Sequence, residues 1–153
     1  MKKVVYVDMD NVLVDFQSGI NQLKDETLKK YHGRLDEVPG IFGLMQPMEK
    51  AIESYTELSK HYDVYILSTS PWENETALID KLRWVKKHLG IVAYKRLIFS
   101  HHKNLNKGDY LIDDRTKNGA DNFEGEHIHF GTENFLRWDD VTDYLIEKTT
   151  STE

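Results

Sequence analysis

The chain has 153 residues, 39% hydrophobic and 11% aromatic, which is enough to bury a single core. Its formal charge of −6 argues against a general nucleic-acid binder, and the lack of cysteine excludes disulfides and thiolate metal sites. It has no apolar run of about 18 residues to span a membrane, and MKKVVYVD has neither the apolar stretch nor the cleavage site of a secretory signal, so a cytoplasmic location is expected.

Residues 3–8 are short, β-branched and aromatic, the pattern of a strand covered on both faces. Phe16, Ile20, Leu23 and Thr27 then recur at helical spacing, which predicts one amphipathic helix. Three glycines and two prolines between Gly33 and Met48 predict irregular structure. Ile52, Tyr55 and Leu58 mark a second helix, and residues 63–67 a second buried strand. Leu78, Leu82, Val85 and Leu89 make the clearest helix of the chain, closed by Gly90 as its cap. Short apolar runs at 97–99, 110–112 and 127–130 read as three more strands. Val141, Tyr144, Leu145 and Lys148 define a last helix, and residues 149–153 a polar tail that frays.

Strands alternating with helices predict crossover connections and a mostly parallel α/β sheet, where ligands bind beyond the carboxyl ends of the strands. The residues at those ends are Asp8 and Asp10, then Ser68, Thr69 and Ser70, then Ser100, His101, His102 and Lys103, then Asp113 and Asp114. Four carboxylates in one cleft resist ionising together without a cation, and an all-oxygen set suits Mg²⁺. A lysine and hydroxyls add donors for a phosphate. Asp8 is then placed to attack phosphorus and Asp10 to act as general acid and base.

These residues resemble the haloacid dehalogenase (HAD) superfamily. Asp8-Met9-Asp10-Asn11-Val12 is similar to its first motif, Thr69 to its second, Lys103 to its third and Asp113-Asp114 to its fourth. The match is closer to its 5′(3′)-deoxyribonucleotidases, in DMDNVLVDF, STSP, LRWVKKHLG and LIDDR, the last lying ten residues after Lys103. The resemblance implies a Rossmann-like fold with a five-stranded sheet in the order 3-2-1-4-5, flanked by helices. It also implies one domain over 1–153, with a core of 1–15 and 63–148 and a small helical cap at about 16–48. The activity implied is Mg²⁺-dependent hydrolysis of deoxyribonucleoside monophosphates.

Carried over, the resemblance makes Asp8 the nucleophile and a metal ligand, and Asp10 the general acid/base that lends its backbone carbonyl to the metal. Asp113 and Asp114 complete the metal site, while Asn11, Thr69, Ser70 and Lys103 surround the phosphate. Phe16 and, more loosely, Phe42 are candidates for contact with the nucleoside. Asn11 stands where the family has glycine, a substitution compatible with left-handed backbone.

Other readings stay open at this level. A sugar phosphate, another small phosphoester or a nucleic-acid end would use the same machinery, and a non-catalytic phosphate-binding domain would share the fold. Trp72, Trp84 and Trp138 read as core or domain-edge residues. His127 and His129 share a strand face without an evident third metal ligand. Oligomeric state is open, a homodimer included.

Overall fold

A strand that is apolar toward both faces must lie inside a covered sheet, and β1 (Val4–Val7) does so. In the computed structural model, which describes residues 1–150, β1 pairs in parallel with β4 (Asp63–Ser68) on one side and β6 (Tyr110–Asp113) on the other. β5 (Leu97–Phe99) extends the sheet beyond β4, and β7 (Glu126–His129) beyond β6, again in parallel. Among the five principal strands this is the expected order 3-2-1-4-5.

Side chains alternate across β1. Val5 and Val7 join the main core with Tyr55 and Leu58 of α3 (Ala51–Leu58) and Val141 and Leu145 of α5 (Trp138–Thr150). Tyr6 faces a smaller cluster of Leu67, Leu111, Ala120 and Phe123. A one-residue slip would exchange these sets, and each buried valine or leucine stabilises by roughly 1.5–3 kcal/mol, so the register is firmly set. That register carries Asp8 to the carboxyl edge, where its N–H donates to the carbonyl of Ile112 at 2.9 Å.

The segment that follows leaves the sheet and returns to nearly the same point. β2 (Val14–Asp15) pairs antiparallel with β3 (Gln46–Pro47), bringing its two ends together. Between them the single helix expected from Phe16 to Thr27 is instead two, α1 (Phe16–Ile20) and α2 (Asp25–Lys30). Gly19 and Asn21 favour the helix poorly, and Gln22 spends its side-chain amide on the carbonyl of Leu44 at 2.6 Å. Gly19 also packs closely: a Cβ there would come within 2.9 Å of Met45 Cγ. Val38, Ile41, Phe42 and Met45 of this segment are buried in the same apolar cluster as β1.

The helix α4 (Thr76–His88) forms where it was expected. It ends at Gly90 in the left-handed region with φ 61°, and its inward face is Ala77, Lys81, Trp84 and Val85. Leu78 and Leu82 are 46% and 42% exposed. The helix carries two apolar stripes, and the one containing a lysine and an indole is buried because both polar atoms find partners. Lys81 Nζ donates to Ser68 Oγ at 2.8 Å, and Trp84 Nε1 to the carbonyl of Met45 at 2.9 Å. At the C-terminus, Thr149 and Thr150 complete α5 rather than fraying, while residues 151–153 lie outside the described residues.

Candidate active site

The turn after β1 is built around one carbonyl. Met9 accepts from the N–H groups of Val12, Leu13 and Val14 at 3.1, 2.9 and 2.9 Å. Asn11 sits at its apex with φ 60°, the left-handed conformation that asparagine tolerates. The Trp138 indole N–H donates to the carbonyl of Val12 at 2.7 Å, fixing the turn against α5. Asp8 and Asp10 are thereby held at the mouth of the sheet.

Asp8, Asp10, Thr69, Ser70, Lys103 and Asp113 line one cleft of about 310 Å³. The expected residues of all four strand ends therefore meet. Lys103 Nζ donates to Asp8 Oδ1 at 2.9 Å and to Asp113 Oδ2 at 2.6 Å, and all three residues are buried. Burial alone would pull the Lys103 ammonium down, but the two carboxylates outweigh it and hold its pKa above the ordinary value. Gly119, at φ 81°, lets the following loop lie against the Lys103 turn, where a side chain would collide with Asn104.

One ammonium does not neutralise this many acids. Oxygens of Asp8, Asp113 and Asp114 lie within 4.8 Å of one another, a spacing at which one oxygen-seeking divalent cation is shared. The acids register its need. Burial raises the Asp113 carboxyl, with Asp8 adding repulsion, and burial followed by the charge of Asp8 pushes Asp114 up to about 8. Three of the five buried side-chain oxygens without a hydrogen-bond partner among the described residues are here: Asp10 Oδ1, Ser70 Oγ and Asp114 Oδ1. Acids at this spacing with unspent oxygens fit a Mg²⁺-like ion and a phosphate.

Asp10 differs from its neighbours. Its carboxylate stands apart from the Asp8–Asp113–Asp114 group and faces Lys81 Nζ at 3.5 Å. Desolvation raises its pKa while Lys81 opposes the rise. Lys81 is a site residue that sequence reading missed. It is fully buried, donates also to the Thr69 carbonyl at 3.0 Å, and lies over the Phe42 ring at 4.6 Å. The signal was the run Ala77, Lys81, Trp84, a lysine at helical spacing between two apolar residues.

The other expected residues divide. The Thr69 hydroxyl donates to the carbonyl of Ser100 at 2.7 Å, whereas Ser70 Oγ is unpartnered, so the serine holds the freer donor. The Asn11 side chain accepts from the Phe16 N–H at 3.3 Å instead of lining the cleft. Phe16 and Phe42 meet edge to face with centroids 5.8 Å apart, and Phe42 is 2% exposed. Neither ring lines the cleft, because both cover apolar surface at the base of the inserted segment. Of the tryptophans, Trp84 and Trp138 are core as expected, but Trp72 stands in the cleft mouth with His101, Arg115, Lys117 and Asn118. His127 and His129 stack at 5.1 Å, and their Nε2 atoms lie 3.1 and 3.0 Å from the carbonyls of Asp113 and Asp114, so they fasten the acidic loop.

The sequence profile of the family described as 5′ nucleotidase, deoxy (pyrimidine), cytosolic type C matches residues 20–144. The chain belongs to this family of phosphomonoester hydrolases. A protein of Vibrio phage KVP40 named as a 5′(3′)-deoxyribonucleotidase is 60% identical over 144 residues, spanning 94% of this chain and 85% of that protein. One of the same name from Staphylococcus aureus strain Mu50 is 30% identical across 95% of this chain and 97% of its own. Among solved structures, the HAD-hydrolase YfnB of Bacillus subtilis, bound to magnesium, superposes with a TM-score of 0.65 at 12% identity, covering 94% of this chain and 98% of its own. A haloacid dehalogenase-like hydrolase of Streptococcus pneumoniae gives 0.58 at 15% identity, covering 99% of each chain. These two share the fold.

Proposed function

We propose that this nucleotidase is Mg²⁺-dependent and releases phosphate from deoxyribonucleoside monophosphates through an aspartyl-phosphate on Asp8. The observation that carries the reading is Asp8 and Asp113 sharing the Lys103 ammonium beside Asp10, whose Oδ1 makes no hydrogen bond and faces Lys81 Nζ at 3.5 Å, and an unpartnered Ser70 hydroxyl. Support for the substrate class comes from the phage and staphylococcal relatives that bear the deoxyribonucleotidase name. We take residues 16–48 as a small cap and place the protein in the cytoplasm, where such nucleotides occur.

In the first step an Asp8 oxygen forms a bond to phosphorus as the bond to the nucleoside oxygen breaks, and Asp10 delivers its proton to that oxygen. The raised pKa of Asp10 keeps a proton available for this transfer. In the second, Asp10 takes a proton from water as the water attacks phosphorus, and Asp8 leaves as a carboxylate. Lys103 and the Ser70 hydroxyl hold the phosphoryl oxygens through both steps. Asp8, Asp113 and Asp114, with the Asp10 carbonyl, would hold Mg²⁺, which supplies charge neutralisation to the transferring group.

Phosphate release from deoxy- and ribonucleoside 5′- and 3′-monophosphates and from sugar phosphates, each with Mg²⁺ and with EDTA, tests this. Mg²⁺-dependent release concentrated on deoxynucleotides is expected. Release confined to sugar phosphates would keep the mechanism and overturn the substrate class.

A further inference from the structure

Trp72 is 82% exposed, although it lies in a loop pinned on both sides. Ser70 before it and Asn74 after it are both buried. The Asn74 amide donates to the carbonyls of Asp36 and Val38 at 2.9 and 3.0 Å, and its oxygen accepts from the Thr76 hydroxyl at 2.7 Å. The Asn74 N–H closes a turn onto the Pro71 carbonyl at 3.1 Å. An indole displayed from an anchored turn keeps its apolar surface in water by construction rather than by fraying. The His101 imidazole meets it at 70° with centroids 5.8 Å apart, which orients the ring without covering it.

Its position in the chain fixes what it faces. Thr69 and Ser70 are the residues expected at the phosphate, and Trp72 follows two residues later on the same cleft wall. Of the described tryptophan, tyrosine and phenylalanine side chains, Trp72 alone lines the cleft, whereas Phe16 and Phe42 pack against each other outside its lining. We propose that Trp72, oriented by His101, is the stacking platform for the nucleobase of the substrate. The proposal rests on the nucleotidase reading above and moves base recognition from the inserted segment to the loop after β4. Stacking between a base and an aromatic side chain tolerates any base, so the platform selects for a base over none rather than for one base over another.

The test compares deoxynucleoside monophosphates with 2-deoxyribose 5-phosphate, which carries no base, as substrates of wild type, Trp72→Ala and Trp72→Phe. With Trp72→Ala, KM for the nucleotides should rise roughly tenfold, equivalent to about 1.4 kcal/mol, with kcat held within about twofold. KM for deoxyribose 5-phosphate should not move, and Trp72→Phe should recover most of the loss. Nucleotide KM unchanged in Trp72→Ala, while wild type still hydrolyses nucleotides, would overturn the platform and leave the nucleotidase reading intact. An equal rise for the base-free substrate would overturn it too, by making Trp72 a loop-positioning residue. Binding gives a reading independent of turnover. Nucleotide should quench the tryptophan fluorescence of Asp8→Asn and not that of Asp8→Asn with Trp72→Phe; equal quenching in both would count against the platform.

Discussion

At the floor of the cleft, Asp8, Lys103 and Asp113 are at most 6% exposed and hold one another at 2.9 and 2.6 Å. At its mouth, Trp72, His101, Arg115 and Lys117 are exposed, and Arg115 and Lys117 carry no salt bridge among the described residues. In the floor, Asp8 and Asp113 stand at strand ends whose positions follow from the sheet register, Lys103 comes from the helical turn after β5, and their charges are worth far more there than in water. The mouth is written by loops, where a side chain can change without disturbing the sheet. Chemistry and substrate choice therefore sit on separable parts of the molecule, and substitutions in the two places should fail differently.

The largest effect belongs to the floor. Asp8→Asn removes the nucleophile, so kcat should fall by at least about 10³-fold, while the melting temperature stays close to wild type. A steady-state assay beside a thermal melt checks both halves. Turnover near wild type would break the distinction at once.

Beneath the floor, Lys81→Met keeps the buried volume and deletes the charge beside Asp10. We expect kcat to drop roughly tenfold, because the cation that restrains the raised Asp10 pKa is gone. The second step needs the Asp10 carboxylate, so the acidic limb of the kcat–pH profile should move to higher pH. A fall in kcat without that movement would make Lys81 a packing residue only.

A third effect is set by pH. Burial, followed by the charge of Asp8, pushes the Asp114 carboxyl from its ordinary 3.8 up to about 8 in the folded protein. A carboxyl raised on folding binds its proton more tightly in the native state. Its contribution is therefore intact below the unfolded pKa, is lost progressively as pH climbs through this window, and is fully lost above the folded value. A divalent cation relieves the repulsion from Asp8 that helps to cause the shift. Mg²⁺ should then raise the melting temperature by several degrees at about pH 8.5 and by little at about pH 5. Melting curves with Mg²⁺ and with EDTA at both pH values decide it, and an equal gain at both would contradict the assignment of Asp114.

The smallest effect comes from the supports behind the floor. Replacing His127 and His129 together by alanine frees the carbonyls of Asp113 and Asp114. Metal affinity should weaken roughly tenfold, as is usual when partners of ligating groups are removed. Titration calorimetry with Mg²⁺ measures this, with nucleotide KM at saturating metal as the control that should stay put.

The same division governs what the sequence could reveal. β1, β4 and β6 were legible because short β-branched runs have few ways to be buried, and the residues after them had to meet once the sheet was parallel. The left-handed backbone at Asn11 was hinted at only through the resemblance, where asparagine stands in place of the family's glycine and tolerates the same geometry. The inward face of α4 was not, since Leu78–Leu82 and Ala77–Lys81–Trp84 both fit the helical period. What decided between them was hydrogen bonds to Ser68 and Met45, distant in the chain. Phe42 looked available for a base because loops are usually exposed, yet this one is folded under Lys81 and Phe16. Trp72 read as a core or domain-edge residue because indoles usually bury area, and its exposure at the cleft mouth on a loop anchored by Asn74 shows only in the structure.

The central claim is the covalent role of Asp8, and trapping the intermediate tests it directly. Asp10→Asn should slow its breakdown, so this variant would be mixed with deoxynucleotide and Mg²⁺, quenched in acid and reduced with borohydride. Peptide mass spectrometry then locates any acyl phosphate as the homoserine it becomes. The account predicts conversion at position 8, dependent on both substrate and metal. Conversion at another residue, or an unmodified Asp8 in a sample quenched after nucleoside has been released and before phosphate appears, would contradict it.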